Sequence, residues 1–321
     1  MSRIPARALP LLAAAAATLV WSSAFAAVAH GLRAFAPGEL ALLRFGIASL
    51  ALVVPVLTGA IRLPPRRDWP AVALLGFVGL TVYQLAFCQA LTQASAGAVA
   101  VVIALAPGVT AAFAALRLRE RLGRRALLGL TVAFGGALLA AAGSGRAITF
   151  EPRVLYALVA VLATSVYFVW QKPLLARTTP IGFTTLSIFF GTLGLLPFGR
   201  NLPHALALVP WPQLASAVYL GLVPTVLGYF AWNYALSRAP AARVSSFLYA
   251  QPLLAGVMAW AWLGQAPGAL VLAGGALAIG GVVLTVSGRS IATPRAEHEP
   301  HPRLALCTCA AVLSRALIQI R

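Results

Sequence analysis

Polar side chains recur at helical spacing inside stretches of the chain that are otherwise apolar. Thr81, Gln84, Cys88 and Thr92 follow one another at i, i+3, i+7 and i+11, which places them on one face of a helix. Such a face is costly when it points at lipid, so we expect it to turn towards other helices. There it would either hydrogen-bond a neighbouring helix or line a pathway for a polar solute.

A matching face lies in the second half of the chain, where Tyr229 and Asn233 align with Gln84 and Cys88. The better candidates for a cavity are Gln84, Asn233, Tyr229 and Tyr167, because a single Ser or Thr more often forms a hydrogen bond between two helices. Tryptophans such as Trp21 form either cavity walls or membrane-interface anchors. The candidates for a substrate pathway are Trp21, Ser22, Gln84, Cys88, Pro107, Tyr167, Gln171, Tyr229, Trp232, Asn233, Tyr249 and Pro252.

Two prolines occupy the middle of apolar segments. Pro107 and Pro252 each remove a backbone hydrogen bond, which would free the carbonyls of Ile103 and Leu248. Interrupted helices at corresponding positions of two halves are the best sequence indication of a transporter's binding site. The alternative is a simple kink whose carbonyl is satisfied by a neighbouring hydroxyl.

Ionisable residues are scarce within the apolar segments. Arg44 lies inside the second segment and Glu39 at its boundary, so Arg44 would snorkel outward, pair with Glu39, or bind a substrate anion. Glu120 stands among arginines at the end of the fourth segment, which favours a cytoplasmic gate or a loop brace. We assign Glu39, Arg44 and Glu120 to charge and gating roles.

Recognised catalytic motifs are absent from the sequence. The single lysine, Lys172, precedes Pro173, which excludes a P-loop, and no HExxH or CxxC motif occurs. The tail contains His298, His301, Cys307 and Cys309, but short His/Cys clusters in Pro-rich tails are usually incidental. We therefore expect no catalytic residue, no metal site and no cofactor.

The composition is that of a membrane protein. Of the 321 residues 61% are hydrophobic and 9% charged, and mean hydropathy is +0.90. A globular chain of this length could not bury so much apolar surface in one core. These values argue against a soluble enzyme, a disordered chain and a nucleic-acid binder, although the net charge of +18 alone would suit the last.

Ten segments are long enough to span a bilayer, since a span needs about 20 apolar residues. A cleaved signal peptide is the alternative for the first of them, because Arg3 and Arg7 precede an apolar run. The predicted spans are residues 9–29, 39–59, 70–91, 96–116, 124–143, 153–172, 181–199, 212–235, 242–263 and 267–287.

Basic residues predict the orientation of these spans. With the N-terminus inside, nineteen of the 24 Lys and Arg residues fall in cytoplasmic segments and four in external ones, with Arg44 inside a span. This positive-inside bias places both termini in the cytoplasm. Arg rather than Lys, with abundant Ala and Gly, is typical of a GC-rich bacterial gene, so we expect the inner membrane.

An internal repeat appears when the chain is shifted by 145 residues. Pro107 then meets Pro252, Gly129 meets Gly274, and Glu120 meets Gln265. The pattern predicts an all-α polytopic membrane protein with ten transmembrane helices as two inverted five-helix repeats, residues 1–146 and 147–288, and a cytoplasmic tail, 289–321. The halves are inverted because five spans bring the chain to the opposite side of the membrane, where the second half begins. Inverted repeats are the architecture of alternating-access transporters.

The sequence resembles the drug/metabolite transporter superfamily, specifically its EamA-type ten-helix exporters. The resemblance covers about residues 9–288. It rests on VWSSAF at 20–25, AP at 36–37, LRF at 43–45, AL at 90–91, ASA at 94–96, AP at 106–107, RERL at 119–122, YFAWNYAL at 229–236, QP at 251–252 and the closing glycine-rich span. The family's Gly-Glu after the ninth span reads Gly264-Gln265 here, so the acidic residue remains only as Glu120.

The resemblance implies an exporter of small amphipathic metabolites such as amino acids, their analogues or drugs. The sequence adds that no Asp or Glu lies near mid-membrane, which favours neutral or zwitterionic substrates moved by facilitated diffusion or exchange. An intramembrane enzyme and a non-transporting scaffold are the alternatives. The expected partners are a small-molecule substrate and the lipid bilayer, without nucleic acid; the oligomeric state stays open.

Overall fold

The computed structural model describes residues 8–93, 96–143, 152–263, 268–288 and 290–291. Gln265 and the predicted tail, residues 289–321, lie outside these residues, apart from Ser290–Ile291, which form β2 and pair with β1 (Arg121–Leu122). All other regular secondary structure in the described residues is helical. Residues 1–7, which include Arg3 and Arg7 of the alternative signal peptide, also lie outside it.

The ten predicted spans all coincide with helical segments, which we number α1 to α10. The first half contains α1 (Leu9–Gly31), α2 (Pro37–Leu57), α3 (Arg66–Gln93), α4 (Ala96–Ile103 and Ala106–Leu118) and α5 (Arg124–Ala142). The second half contains α6 (Pro152–Leu175), α7 (Pro180–Gly199), α8 (Trp211–Arg238), α9 (Ala241–Ser245, Ser246–Ala250 and Gln251–Leu263) and α10 (Ala269–Ser287). A short helix, Leu202–Leu208, joins α7 to α8.

Nine of these described segments are long and apolar enough to cross a membrane. The remaining one, α9, is helical throughout but passes through 3₁₀ turns at Ser246–Ala250, and it includes the polar residues Arg243 and Gln251. The protein is thus a polytopic membrane protein of two five-helix repeats. Prolines in the first turns of α1, α2 and α7 explain where those helices begin, because proline lacks the N–H that a first turn leaves unpaired.

The backbone repeats its irregularities at the predicted offset of 145. A π-helical segment occupies Phe77–Val82 in α3, and another occupies Gly221–Gly228 in α8. The break in α4 before Pro107 likewise corresponds to the 3₁₀ turns before Pro252 in α9. Both prolines lie in the first turn of the helix that follows, so each half has an interrupted helix rather than a kink in a continuous one. The π-helical segments were not predicted from the sequence.

Helices α5 and α10 pack against each other through glycines. A Cβ on Gly129 would lie 2.7 Å from the Gly281 carbonyl oxygen, and one on Gly136 would lie 2.6 Å from that of Gly274. Residue numbers therefore rise on one helix as they fall on the other, and the two run antiparallel. Because Gly274 and Gly281 are the repeat equivalents of Gly129 and Gly136, the two contacts are the same contact inverted.

The polar faces point inward as predicted, except at Thr92, which lies in the last turn of α3 and is exposed. Thr81, Gln84 and Cys88 of α3 are at most 2% exposed, and Asn233 of α8 is fully buried. Large apolar side chains such as Leu50, Leu116 and Val283 are exposed instead, which is the arrangement expected of a surface that faces lipid. The π-helical segments of α3 and α8 lie behind this surface, in contact with α6 and α1 respectively.

Candidate functional site

An aromatic cluster joins α1, α6 and α8 at the middle of the molecule. The ring centroids of Trp21 lie 5.1 Å from Tyr229 and 5.0 Å from Trp232, and Phe168 lies 4.9 Å from Trp232. Tyr167 contacts the same cluster at 6.3 Å from Tyr229. These residues come from both repeats, so the cluster lies where the halves meet.

The π-helical segment of α8 positions Trp21. The indole Nε1 donates a hydrogen bond of 2.9 Å to the Pro224 carbonyl, and a Cβ on Gly228 would lie 2.6 Å from the same nitrogen. Pro224 removes a backbone donor from this segment, and the Thr225 hydroxyl donates to the Leu220 carbonyl at 2.8 Å. Glycine and proline thus let an aromatic side chain approach the backbone.

Tyr167 repeats this arrangement on α3. A Cβ on Gly79 would collide with the Tyr167 ring, and Gly79 is the equivalent of Pro224 at an offset of 145. Each half therefore presents an aromatic residue of its first helix to the π-helical segment of the other half. π-helical segments frequently occur at functional sites.

Arg44 lies in a second cluster, which we call the cationic cluster: Arg44, Gln84, Cys88 and Thr225. Its Nε donates to the Thr225 hydroxyl at 2.6 Å, and its Nη1 donates to Gln84 Oε1 at 3.0 Å. Gln84 Nε2 in turn donates to Cys88 Sγ at 3.1 Å. Arg44 is 6% exposed, so the guanidinium is held inside the protein by α3 of its own half and α8 of the other.

The expected alternatives for Arg44, snorkelling or pairing with Glu39, are wrong. Glu39 Oε2 accepts a hydrogen bond of 2.8 Å from the Ala36 backbone N–H and so caps its own helix. Of the other acidic residues in the described chain, Asp68 pairs with Arg177 and Glu120 with Lys172. None of these carboxylates reaches Arg44, because each already serves a helix end or loop at the rim of the bundle.

The inverted equivalent of this region is neutral, and we call it the neutral cluster: Tyr167, Thr184, Ser187 and Asn233. Asn233 Nδ2 donates to the Thr184 hydroxyl at 2.7 Å and to the Tyr167 hydroxyl at 3.5 Å, and Ser187 adjoins Tyr167. A Cβ on Gly221 would lie 2.8 Å from the Arg44 carbonyl oxygen, and one on Gly76 would lie 2.7 Å from that of Ser187. Since Gly221 and Gly76 are repeat equivalents, Arg44 and Ser187 occupy equivalent positions.

Several buried polar atoms beside the neutral cluster have no partner among the described residues. Both amide atoms of Gln171, Nε1 of Trp232 and Oδ1 of Asn233 accept or donate no hydrogen bond there, and all three side chains are fully buried. Such atoms are rare in proteins because each costs free energy. Their concentration on α6 and α8 marks this end of the interface as polar.

Glu120 connects the halves at the end of the bundle where α4 ends and α9 begins. Its Oε1 accepts from Lys172 Nζ and, at 3.0 Å, from the Ala241 backbone N–H, while Oε2 accepts from that of Ala242 at 3.4 Å. Ala241 and Ala242 form the first turn of α9, where a carboxylate satisfies unpaired donors and the helix dipole. The gate or brace predicted for Glu120 is thus a link between α4, α6 and α9.

The remaining predicted residues have more local contacts. Ser22 donates to the Thr18 carbonyl of its own helix at 2.7 Å. The Tyr249 hydroxyl hydrogen-bonds the Gly108 backbone, so α9 contacts α4 close to the interruption marked by Pro107. Tyr249 therefore joins two helices, whereas the hydrogen bond of Ser22 stays within α1.

Three residues of the cationic and neutral clusters were not predicted from the sequence: Thr225 of α8, and Thr184 and Ser187 of α7. Thr225 precedes Tyr229 by one turn and so extends the stripe of Tyr229 and Asn233, which would have been a sufficient signal. Thr184 carried no such signal, because α7 is polar on several faces.

Comparison with known proteins identifies relatives of the whole membrane domain. The model of the EamA-like transporter family matches residues 8–142 and again 152–287. A probable terminal-alkyne amino-acid exporter of Streptantibioticus cattleyicolor is 35% identical over 89% of this chain and 95% of its own. The uncharacterized transporter YdfC of Bacillus subtilis is 35% identical over 83% of this chain and 87% of its own.

More distant matches agree with these. A probable amino-acid metabolite efflux pump of Salmonella typhimurium is 27% identical over 84% of this chain and 92% of its own. One solved crystal structure superposes with a TM-score of 0.70 at 23% identity, covering 86% of this chain and 95% of that one. At that identity the superposition shows the fold alone.

Proposed function

Since the chain belongs to the EamA-like transporter family, we propose that it exports small amphipathic metabolites of the amino-acid type by alternating access. The observation that carries this proposal is the pair of inverted clusters at the contact between the halves. Each cluster consists of buried hydrogen-bonding groups next to an aromatic ring that packs on a π-helical segment. The ring is Trp21 beside Thr225 of the cationic cluster and Tyr167 in the neutral cluster. Substrate sites of inverted-repeat transporters lie at such repeat interfaces.

The aromatic cluster supports an amphipathic substrate. Trp21, Tyr229, Trp232 and Phe168 offer apolar ring surface. The cationic and neutral clusters add the buried amide groups of Gln84 and Asn233. Relatives named as exporters or efflux pumps for amino acids and amino-acid metabolites agree with this chemistry. Everted membrane vesicles from a strain that overproduces the protein should take up a labelled amino-acid analogue faster than vesicles from a deletion strain.

Transport without catalysis is part of the proposal. The described residues contain one Ser–His pair, Ser216 Oγ and His30 Nδ1 at 2.9 Å, at the ends of α8 and α1. Ser216 donates to the Pro212 carbonyl, and no described carboxylate orients the imidazole, so the pair lacks the arrangement of a hydrolase. It joins two helices at one end of the bundle.

We place the protein in the bacterial inner membrane with both termini in the cytoplasm. The basic residues around 117–125 and in the tail support this orientation. Reporter fusions at Arg295 and within 117–125 should therefore report cytoplasm, and a fusion near Arg200 the exterior. A cytoplasmic signal at Arg200 would contradict the topology.

Coupling to protons is not part of the proposal. The carboxylates of Glu39 and Glu120 are used at helix ends on opposite sides, so neither is available to carry a proton through the centre. Proteoliposomes with an imposed pH gradient test this. Gradient-driven accumulation that persists in Glu39→Gln and Glu120→Gln would contradict facilitated diffusion or exchange.

A further inference from the structure

Arg44 carries a charge that the described protein does not balance. Its two hydrogen-bond partners, Thr225 and Gln84, are neutral, and the groups that act on it electrostatically are Tyr229, Tyr83 and Cys88. All three are neutral near pH 7 in their ordinary state. A cation at membrane depth costs at least about 2.5 kcal/mol, and pairing with an anion is the usual way to offset it.

The guanidinium is nevertheless held in a defined orientation. Thr225 fixes Nε and Gln84 fixes Nη1, so two helices from different halves hold the planar group from two sides. Nη2 has no hydrogen-bond acceptor among the described residues, and the residue keeps 6% of its surface accessible. Arginine presents donors in a rigid fork that matches a carboxylate, so a fixed fork with one free arm is suited to an anion.

Apolar ring surface begins one turn from this fork. Tyr229 follows Thr225 on α8 by four residues, about 6 Å along the helix, and it contacts Trp21 at a centroid distance of 5.1 Å. A small molecule with a carboxylate at Arg44 would thus reach the aromatic cluster with its side chain. No described acidic residue is available there for an ammonium group.

We propose that Arg44 binds the carboxylate of the transported molecule, and that the carboxylate rather than the amino group is the required feature. The substrates are then monocarboxylates with a small apolar or aromatic body, amino acids among them. Gln84 and Thr225 are positioning residues, which act by orienting the guanidinium. The inference rests on the proposed export function and narrows its substrate class.

The first test uses four probes on the purified wild-type protein in lipid nanodiscs. Phenylalanine and N-acetylphenylalanine carry a carboxylate, whereas phenylalanine methyl ester and phenethylamine lack an ionised one. We expect the first two to raise the melting temperature and compete with each other, and the last two to do neither. Equal effects of the ester and the free acid would overturn the inference, because a structural Arg44 has no reason to discriminate them.

The second test changes the residue. Arg44→Gln should weaken the effect of N-acetylphenylalanine roughly ten- to hundredfold, the loss expected for hydrogen bonds to a charged group. Arg44→Lys keeps the charge without the fork and should fall between. Arg33→Gln is the matched control, because it removes an equal charge from an exposed loop position and should leave binding unchanged.

Failure of the inference and failure of the proposed function give different results. If wild-type proteoliposomes move none of the four probes and no other amino-acid analogue, the export proposal fails. If they move the probes but prefer neither carboxylate, or if folded Arg44→Gln keeps the preference, the carboxylate site at Arg44 is wrong. Should Arg44→Gln fail to fold, the probe series on wild type and the intermediate Arg44→Lys variant still decide.

Discussion

Arg44 and Ser187 occupy equivalent places in two inverted halves, where the backbone of α2 meets a glycine of α8 and the backbone of α7 meets one of α3. Around Arg44 the partners hold a cation; around Ser187 they form an amide and hydroxyl network. The backbone is therefore symmetric while its charge is not. Alternating access requires the symmetric backbone, because each half must be able to adopt the conformation of the other. The asymmetric charge means that an anion would interact differently with the inward-open and outward-open states.

The symmetric part of this comparison can be broken most strongly at α5 and α10. Gly136→Ala places a methyl group against the Ala278 backbone, and Gly281→Ala does the same at Ala133, so each should cost more than about 2 kcal/mol of stability. Gly135→Ala and Gly280→Ala are the controls, because nothing lies within 4 Å of a Cβ there.

All four variants gain the same helix propensity, so only the contact distinguishes the pairs. Melting temperatures of the detergent-solubilised proteins provide the measurement. Similar values for Gly135→Ala and Gly136→Ala would contradict the close approach of the two helices.

Removing one amide from each cluster tests whether the charge of Arg44 makes the two clusters energetically different. Gln84→Leu leaves Arg44 Nη1 without its acceptor and should cost about 2 kcal/mol, whereas Asn233→Leu removes neutral hydrogen bonds and should cost about 1 kcal/mol. The stability of each variant and its transport rate should be measured on the same preparations. A larger loss for Asn233→Leu would show that charge does not separate the clusters.

The sequence alone indicates that Gln84 and Asn233 face a cavity, and a cavity-facing group can be replaced without loss of membrane abundance. Their interhelical bonds change that expectation: Gln84 holds Arg44 of α2, and Asn233 holds Thr184 of α7. Both should reduce stability as well as transport.

A smaller loss of stability is expected at Glu120, at the end of the bundle. Glu120→Gln removes the charge that pairs with Lys172 and the first turn of α9, at a cost of about 1 kcal/mol. Because this link joins the two halves and would have to open when this end of the bundle opens, we expect a changed transport rate with little change in probe affinity. Glu39→Gln is the control, since its carboxylate caps only its own helix; equal rates in both variants would argue against a gating role.

The smallest expected effect concerns the aromatic cluster. Trp21→Phe keeps ring surface but loses the hydrogen bond to Pro224, which should cost about 0.5–1 kcal/mol. Trp170→Phe is the control, because Trp170 is 37% exposed and contacts Phe113 on the outer surface. If the two changes lower the melting temperature equally, the bond to the π-helical segment contributes nothing measurable.

The fold was largely predictable because membrane spans follow from hydropathy, and the repeat follows from prolines and glycines at a fixed offset. The inward direction of Gln84, Cys88 and Asn233 followed from the cost of polar groups in lipid. The hydrogen-bond partners of Arg44 could not be predicted from the sequence. Glu39 is five residues away in sequence, yet its carboxylate is used at the helix end, and Thr225 is brought close only by tertiary packing.

The π-helical segments were equally inaccessible from sequence. No residue pattern in 77–82 distinguishes a π-helical turn from an α-helical one. Only the second π-helical segment, at 221–228, shows that both repeats share this feature. The sequence likewise does not distinguish Trp21, which packs inside the aromatic cluster, from Trp170, which is 37% exposed.

The glycine contact between α5 and α10 bears on how such a chain arises. Gly129 meets Gly281 as Gly136 meets Gly274, so the interface is isologous: each side uses the same patch. That is the interface two copies of one five-helix chain would form if they were inserted in opposite orientations. Fusion of the copies into a single chain fixes one of each orientation, and it frees position 44 to keep an arginine that position 187 lacks.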